Sequence, residues 1–442
     1  MSDDDLGAAD RNDDHGEMNP LAELLRQLGF TDDDPPDIPT LLGNLNQLVT
    51  RLSAQGNVEV QWTAVKDTVR KLVGADGPDP FVNLASNREQ AEALRLAASW
   101  LDETQVLPEI ELTPMLWSRA EWVERTFTGW QTIVAPISER LGQAMMSTFL
   151  EQNDDFPDEF VALRNTLAQM MRSAAAMMYA EQVARAIAEV ATTVVSSSDA
   201  ALPLTSNAAA ALLPTNIAEF CADLAESERD IAIYLALRET ARMRLFCKAT
   251  WLPSTLLVMV KHYAAEITID TDVVSSAIDP RELANLDPAE LQRVSETLFG
   301  KLFRPASTPE QRDVLERIEV LVALIEGWVD AVTETAATKW MTNAEALFEV
   351  VRRRRASGGP GEKALRALVG LLLTRRRVQQ AKDLWIKLTA QLGAVERDTL
   401  WRHPDLLPTA QDLDSPEAFL HNDPAPPDQI DDELRKLLEQ GE

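Results

Sequence analysis

Cysteine and histidine are the side chains that this sequence most clearly lacks. Among its 442 residues there are two cysteines, Cys221 and Cys247, and only four histidines. Two cysteines cannot form the disulfide framework of a small secreted domain, so the composition favours a reducing cytoplasm. Two of the four histidines lie in the acidic ends of the chain, and the sequence therefore offers no convincing Ser-His-Asp or Cys-His catalytic set.

Long uncharged apolar runs and a basic leader are missing as well. A membrane helix needs about 20 consecutive apolar residues. The nearest approach is the Ala/Met-rich segment 170–195, which Arg172, Glu181 and Arg185 interrupt. The N-terminal stretch MSDDDLGAADRNDD has neither the basic region nor the apolar core of a signal peptide. We therefore expect a cytoplasmic protein that has no membrane partner.

Positive charge is scarce overall, since the formal net charge is −29 at pH 7. Residues 1–37 and 405–442 together contribute −19 of that charge. Acidic, proline-containing ends with few aromatic residues cannot bury enough apolar surface to order themselves, so we expect both ends to be mostly disordered. The overall sign argues against general affinity for nucleic acids or anionic membranes.

One segment has the opposite charge. Residues 352–387 contain 11 Lys/Arg against 2 Asp/Glu, including RRRR at 352–355. This segment is either a phosphate-binding patch or a solvated helix face on which the chain's own acidic ends could dock. No basic groove interleaved with aromatic residues supports the first interpretation, so we expect no nucleic-acid partner. The adjoining GGPG lacks the Lys-Ser/Thr of a P-loop and predicts a hinge.

What the sequence has in abundance is helical periodicity, over nearly all of residues 20–400. TPMLWSRAEWVERTFTGWQTIV predicts one helix with Pro114 in its first turn. SSSDAALPLTSNAAAALLPTN, residues 196–216, predicts a loop, and EITIDTD from Glu266 is the best candidate for a short strand. The fold class is therefore mainly α with at most a few short strands.

These patterns divide the chain into three parts. We expect an acidic head with one short helix, a large helical domain with an N-terminal part and a core, and an acidic C-terminal tail. Their bounds are 1–39 for the head, 40–405 for the helical domain (40–155 and 156–405) and 406–442 for the tail.

The helix YLALRETARMRLF carries two arginines in the middle of its most apolar face. At about 100° per residue, Arg238 and Arg242 lie one turn apart on the stripe formed by Tyr234 and Leu245. An unpaired charge there is costly, so both arginines need acidic partners. The best candidate is Glu326, a lone charge inside the apolar run RIEVLVALIEGWVD, and the sequence predicts that it pairs with the arginines.

Six motifs carry a resemblance to a known family. They are, in order, WSRAEWVE, LLPTNIAEF, YLALRETARMRLF, LVALIEGWVD, RRRRASGGPGE and WRHPDLLPTAQDLDSPEAF. Together they resemble a family of bacterial zincin-like zinc-dependent metalloproteases, whose members are named simply hydrolase or by association with coenzyme F420 biosynthesis. The resemblance covers Leu101 to Phe419 and implies a zincin-like, gluzincin-like fold with extra helices.

The resemblance also implies a site. R-E-T-A-R at residues 238–242 has the spacing of H-E-x-x-H, in which two histidines bind Zn²⁺ and the glutamate activates a water. Glu239 would then be the general base, and Glu326 would be the third metal ligand. Arg238 and Arg242 stand at the two histidine positions, and a guanidinium has no lone pair to give to a metal.

Two interpretations remain open at this point. In the first, the protein is catalytically degenerate, needs no cofactor, and acts as a binding or scaffold protein for an unknown protein or peptide. In the second, it is an active zinc-dependent metallopeptidase in which Glu239 is the base and Glu326 helps to hold the metal in an unrecognised site. His262 and His403 do not decide the question, since they are most simply a surface and a loop-fixing residue.

Overall fold

The computed structural model describes residues 60–421, except 76, 78–79, 84–86, 153–160, 206–208, 223, 267, 270–302, 305–307, 357 and 370–375. The predicted acidic head and most of the predicted tail lie outside these residues.

The described helices are α1 Trp62–Ala75, α2 Arg88–Glu103, α3 Arg119–Gln152, α4 Val161–Thr193, α5 Pro214–Cys221, α6 Glu228–Lys248, α7 Trp251–Ala265, α8 Pro309–Trp340, α9 Ala344–Ala356, α10 Pro360–Val369, α11 Arg376–Leu392, α12 Ala394–Thr399, α13 Ala410–Asp414 and α14 Glu417–His421. Two 3-10 turns, Leu400–Arg402 and Pro404–Leu406, follow α12. The prediction of a mainly α fold is confirmed.

Four short strands complete the described fold: β1 Thr113–Leu116, β2 Ala209–Leu212, β3 Thr268–Ile269 and β4 Phe303–Arg304. β1 and β2 are parallel, with Thr113 opposite Ala209, and β3 pairs with β4 in an antiparallel sense. The strand expected in EITIDTD is therefore present at Thr268–Ile269. The single helix expected for TPMLWSRAEW is wrong, because Thr113–Leu116 is extended beside β2 and the helix begins at Arg119.

β2 is hydrogen bonded along both of its edges. Besides β1, it faces the antiparallel segment 195–197, where the Ser197 amide donates to the Ala211 carbonyl at 3.0 Å and the Leu213 amide donates to the Val195 carbonyl at 3.0 Å. The region expected to be a plain loop thus contains a strand and its partner. Its run of small alanines and serines shows no alternation by which a strand could be recognised.

The central helix α6 has strong end signals and is buried along most of its length. The Ser227 side chain caps its first turn by accepting from the Asp230 amide, acids occupy that turn, and Lys248 occupies the last turn. All residues from Ile231 to Phe246 are buried, because α2, α8 and β2 pack around the helix. A helix enclosed in this way must satisfy every charge that it carries.

Tryptophans are among the largest fully buried side chains of the core. Trp328 and Trp385 each contact Trp401 through their rings, at centroid distances of 6.4 Å and 5.4 Å. The Trp328 indole donates to Asp398 at 2.8 Å, and the Trp385 indole donates to the Leu324 carbonyl at 3.0 Å. These contacts attach the C-terminal motif, which begins at Trp401, to the middle of α8.

The packed body includes the first part of the predicted tail. Thr409 and Asp412 form a reciprocal capping box at the start of α13, and Leu413 is buried where α13 packs on α11. Ordered packing therefore reaches residue 421 among the described residues.

None of the described helices is both long enough and apolar enough to cross a membrane.

Gly327 sets how closely α8 and α11 approach. A Cβ added there would lie 2.6 Å from the Lys382 amide nitrogen and 2.7 Å from the Ala381 Cβ. We expect Gly327→Ala to destabilise the protein by about 1–3 kcal/mol in urea unfolding, because backbone would have to move. Gly74→Ala in α1, where nothing lies within 4 Å, is the matched control and should cost nothing. Equal stability of the two variants would contradict the close approach.

Candidate functional site

α6 and α8 meet through a carboxylate that two arginines share. Arg242 Nε and Nη2 donate to the two oxygens of Glu326 at 2.9 and 3.0 Å. Arg238 Nη2 donates to Glu326 Oε2 at 3.0 Å. All three side chains are buried, so the pairing has the geometry that the burial argument required.

Two further residues, which the sequence did not single out, extend the contact toward solvent. Asp330 lies one turn after Glu326 on α8 and accepts from Arg238 Nη1. Arg355, at the end of α9, donates a fork to Asp330 at 2.7 and 2.6 Å and lies 3.2 Å from Glu326. Asp330 could have been found from the spacing of the charges. Glu326 and Asp330 are four residues apart on α8, as Arg238 and Arg242 are on α6.

Glu239 has a different environment and is not paired directly with any guanidinium of the described residues. Its carboxylate accepts from the hydroxyls of Ser197 and Ser198, the second at 2.6 Å, and from the amides of Ser198 at 3.3 Å and Ala211 at 3.4 Å. The link to Arg242 runs through the Ser198 hydroxyl, which accepts from Arg242 Nη1 at 3.2 Å. With 0% exposure, the Glu239 carboxylate is enclosed by donors of the chain itself.

The loop that carries Ser197 and Ser198 is held from several sides. Asn216 donates to the Ala191 and Val194 carbonyls at 2.9 and 2.6 Å and accepts from Arg119 Nε at 2.6 Å. A Cβ on Gly361 would lie 2.0 Å from the Ala200 carbonyl oxygen, so α10 starts directly against this loop. Three of the sequence motifs, which supply Arg119, Asn216 and Gly361, thus position the serines.

Asp199 ends the same loop and joins it to α9. It accepts a fork from Arg354 at 3.0 and 2.7 Å and also accepts from the Val195 amide at 3.0 Å. Arg354 additionally donates to the Thr193 carbonyl at 2.8 Å. The consecutive residues Arg354 and Arg355 of α9 therefore bind two different elements. Arg354 contacts the loop of residues 197–199, which we call the serine loop, and Arg355 contacts α8.

The charges of this cluster, which we call the arginine–carboxylate network, balance. Its members are the guanidiniums of Arg238, Arg242 and Arg355 and the carboxylates of Glu239, Glu326 and Asp330. Burying six charges is costly unless each is paired and hydrogen bonded. Here each guanidinium faces oxygen atoms and each carboxylate accepts several donors, which meets that condition.

The network shifts the pKa of its acids. Burial by itself raises the pKa of Glu326, but the charges of Arg242, Arg355 and Arg238 outweigh it and hold the pKa below its usual value. Burial is likewise outweighed at Asp330 by Arg355 and Arg238, and the pKa of Asp330 is strongly lowered. Both acids therefore remain ionised in the folded protein at neutral pH.

The residues of this cluster do not fit a zinc ion. Arg238 and Arg242 have no lone pair, both oxygens of Glu326 accept guanidinium donors, and Glu239 is enclosed by serine donors. In the part of the chain that the structure describes, no group of three or more His, Cys, Asp and Glu is arranged to hold a metal. His262 and His403 are exposed, and His403 accepts from the Asp405 amide at 3.3 Å, which fixes a turn.

Most described arginines and lysines of the segment 352–387 pair within the fold. Arg354 and Arg355 pair with the acids described above, Arg377 pairs with Glu316, and Lys382 pairs with Glu334. Arg352 and Arg353 face solvent and pair only with Glu349 on their own helix. Arg352, Arg353, Lys363 and Arg366 remain exposed at the surface, and the docking of the acidic ends on this segment stays a prediction.

Comparison with known proteins gives one family. A model described as zincin-like metallopeptidase matches residues 60–420. A crystal structure from Chloroflexus aurantiacus, described as a candidate hydrolase with a novel fold, superimposes with a TM-score of 0.53 at 19% identity and covers 82% of this chain and 98% of that chain. At this identity the likeness concerns the fold alone. No curated protein matches the sequence.

The shared carboxylate can be tested with a double-mutant cycle of Arg242→Met and Glu326→Gln in urea. Each single change strands a buried charge and should cost about 3–5 kcal/mol. The double variant should lose clearly less than the sum, because the two groups act as one unit. The exposed pair Lys66–Glu124, truncated in the same way, is the control and should couple by less than about 1 kcal/mol. Additive losses at Arg242 and Glu326 would contradict the contact.

Acid should weaken the network. The folded pKa values of Glu326 and Asp330 are lowered, so their contribution is present above the unfolded pKa and is lost as pH falls through the folded pKa. The measurement is the difference in unfolding free energy between the wild type and Glu326→Gln, which cancels the relief of repulsion that acid brings to a chain of charge −29. This difference should shrink from about pH 5 downward. A difference independent of pH would mean that Glu326 is not held ionised by its arginines.

Proposed function

Because the chain belongs to the zincin-like metallopeptidase family, we propose that it is a pseudoenzyme of that family, which acts by binding rather than by hydrolysis. The observation that carries the proposal is that Glu326 accepts hydrogen bonds from both Arg238 and Arg242. These are the three positions at which the family resemblance implies metal ligands. Guanidinium charge takes the place of the metal in this proposal.

Charge conservation supports the replacement. Two neutral histidines with a Zn²⁺ ion contribute +2 to a buried site, and two arginines contribute the same +2 without an ion. The surrounding carboxylates therefore keep their compensation when histidines and metal are exchanged together for arginines. Replacing one histidine alone would give neither a complete metal site nor a balanced set of charges.

Access to the site supports the same proposal. A hydrolase must admit a water and a substrate to its base, but Glu239 is 0% exposed and, among the described residues, accepts from neighbouring serines and amides. An extended peptide commonly binds by adding to a free strand edge. Both edges of β2, the strand that contacts Glu239, are already hydrogen bonded to β1 and to segment 195–197.

In this proposal the protein is a cytoplasmic scaffold for a protein or peptide partner. Both cysteines are free thiols. Burial raises the pKa of Cys221 to about 11 and also raises the pKa of Cys247, so neither is an activated nucleophile. Free, unactivated thiols are consistent with a reducing compartment.

The alternative is an active zinc-dependent metallopeptidase in which Glu239 is the general base and the metal is held in another way. The alternative requires the network to rearrange so that the oxygens of Glu326 leave their arginines. It makes the opposite prediction for metal content, so one measurement separates the two functions.

We expect the purified protein to contain far less than one zinc per chain by elemental analysis and to leave a fluorescent casein substrate intact. Arg238→His combined with Arg242→His should gain zinc, because it removes +2 and supplies two imidazoles beside Glu326. The same double variant carrying Glu326→Gln is the matched control and should bind zinc much more weakly. Stoichiometric zinc in the wild type that disappears in Glu326→Gln would establish the active enzyme instead.

A further inference from the structure

The last turn of α9 closes the site from outside. We propose that Arg354 and Arg355 form a latch over the arginine–carboxylate network, and that a ligand able to open it carries paired guanidinium groups. Arg354 donates two hydrogen bonds to Asp199 on the serine loop, and Arg355 donates two hydrogen bonds to Asp330 on α8. The inference rests on the proposed function, since it treats the site as a binding element.

Exposure increases along the network toward α9. The Arg242 side chain is 4% exposed and that of Glu326 is 9% exposed, whereas the Arg355 side chain is 29% exposed. Arg355 is thus the member through which solvent meets the cluster. If its guanidinium withdrew, Asp330 and one oxygen of Glu326 would lose a partner on the solvent side.

α9 has the anchoring expected of an element that can move. Its apolar contacts come from one short face, where Leu347 and Val351 are buried and the Phe348 ring lies 5.3 Å from the Tyr234 ring. Beyond its C-terminal end lies Gly358, whose φ of +86° favours glycine and suits a hinge. The forked ion pairs of Arg354 and Arg355 hold the end of the helix that adjoins this hinge.

The charge that an open latch would expose defines the ligand. Without Arg354 and Arg355, the site retains Arg238 and Arg242 against four carboxylates, those of Asp199, Glu239, Glu326 and Asp330. Two positive charges are then missing. They are missing at Asp199 and Asp330, whose oxygens are already placed to accept two parallel hydrogen bonds from a planar guanidinium. A segment presenting neighbouring arginines matches this arrangement, because guanidinium binds carboxylates in two-pronged fashion and an ammonium does not.

The test compares Arg354→Ala/Arg355→Ala with Arg352→Ala/Arg353→Ala by hydrogen exchange of the full-length protein. The control removes the same charge from the same helix, at side chains that are 61% and 79% exposed. We expect the latch variant to exchange at least about tenfold faster in residues 344–356 and 195–199, while α6 and α8 stay protected and the control is unchanged. Equal exchange in both variants would overturn the latch. Loss of protection throughout α6 and α8 would also overturn it, because the two arginines would then be needed for the stability of the whole core.

A second arm tests the ligand class in Arg355→Ala. Millimolar methylguanidinium should slow the exchange of residues 344–356 back toward the wild-type rate, whereas tetramethylammonium at the same concentration should not. The variant Arg352→Ala/Arg353→Ala should respond to neither cation. Equal effects of the two cations would overturn the guanidinium-specific site. The variant Arg354→Lys/Arg355→Lys keeps both positive charges but cannot form the paired hydrogen bonds, so its residues 344–356 should exchange at an intermediate rate. It replaces the alanine variant in the test if the alanine variant does not fold. None of these readouts involves zinc or hydrolysis, so the latch can fail while the proposed function stands.

Discussion

The Glu326 carboxylate is the contact on which the packing of α6 against α8 depends. It receives both arginines of α6, and Asp330 receives one of them together with Arg355 of α9. Since the arginines are four residues apart and the acids are four residues apart, the two sets match in one alignment of the helices. Sliding α8 by one turn would leave an arginine and an acid buried without partners, at a cost of several kcal/mol. The network therefore fixes the register of the two central helices, which apolar side chains alone would specify less strictly.

Local sequence predicted the inner part of this site and missed the outer part, for identifiable reasons. Glu326 stood out because it is a lone charge in an apolar run, and a buried charge needs a partner. Asp330 closes the same run and therefore resembled an ordinary surface charge. The four consecutive arginines suggested a solvated face, but helical phase divides them: Arg352 and Arg353 face solvent, and Arg354 and Arg355 face the site.

The helical class of the fold was predictable because the periodic spacing of apolar residues in a long amphipathic helix can be read directly from the sequence. The β1–β2 pair was not, since four residues of TPML and four of AAAL carry no alternation and acquire extended structure only by pairing across 96 positions of sequence. The role of the serine loop at the site was not predictable for a related reason. Its conformation is held by Asn216 from the same segment and by Gly361 and Arg354, which are distant in sequence and adjacent only in the fold.

Glu239, which is the general base in the alternative of an active enzyme, also has a clear role in the fold. Its carboxylate accepts from two hydroxyls and two amides, all belonging to the serine loop and β2. Truncating it would leave these buried donors unsatisfied, and each unsatisfied donor costs about 1–3 kcal/mol. The same four contacts place the Ser198 hydroxyl where Arg242 can donate to it. The glutamate thus ties the strand, the loop and the central helix together, and this structural role accounts for its hydrogen bonds in either of the two functions.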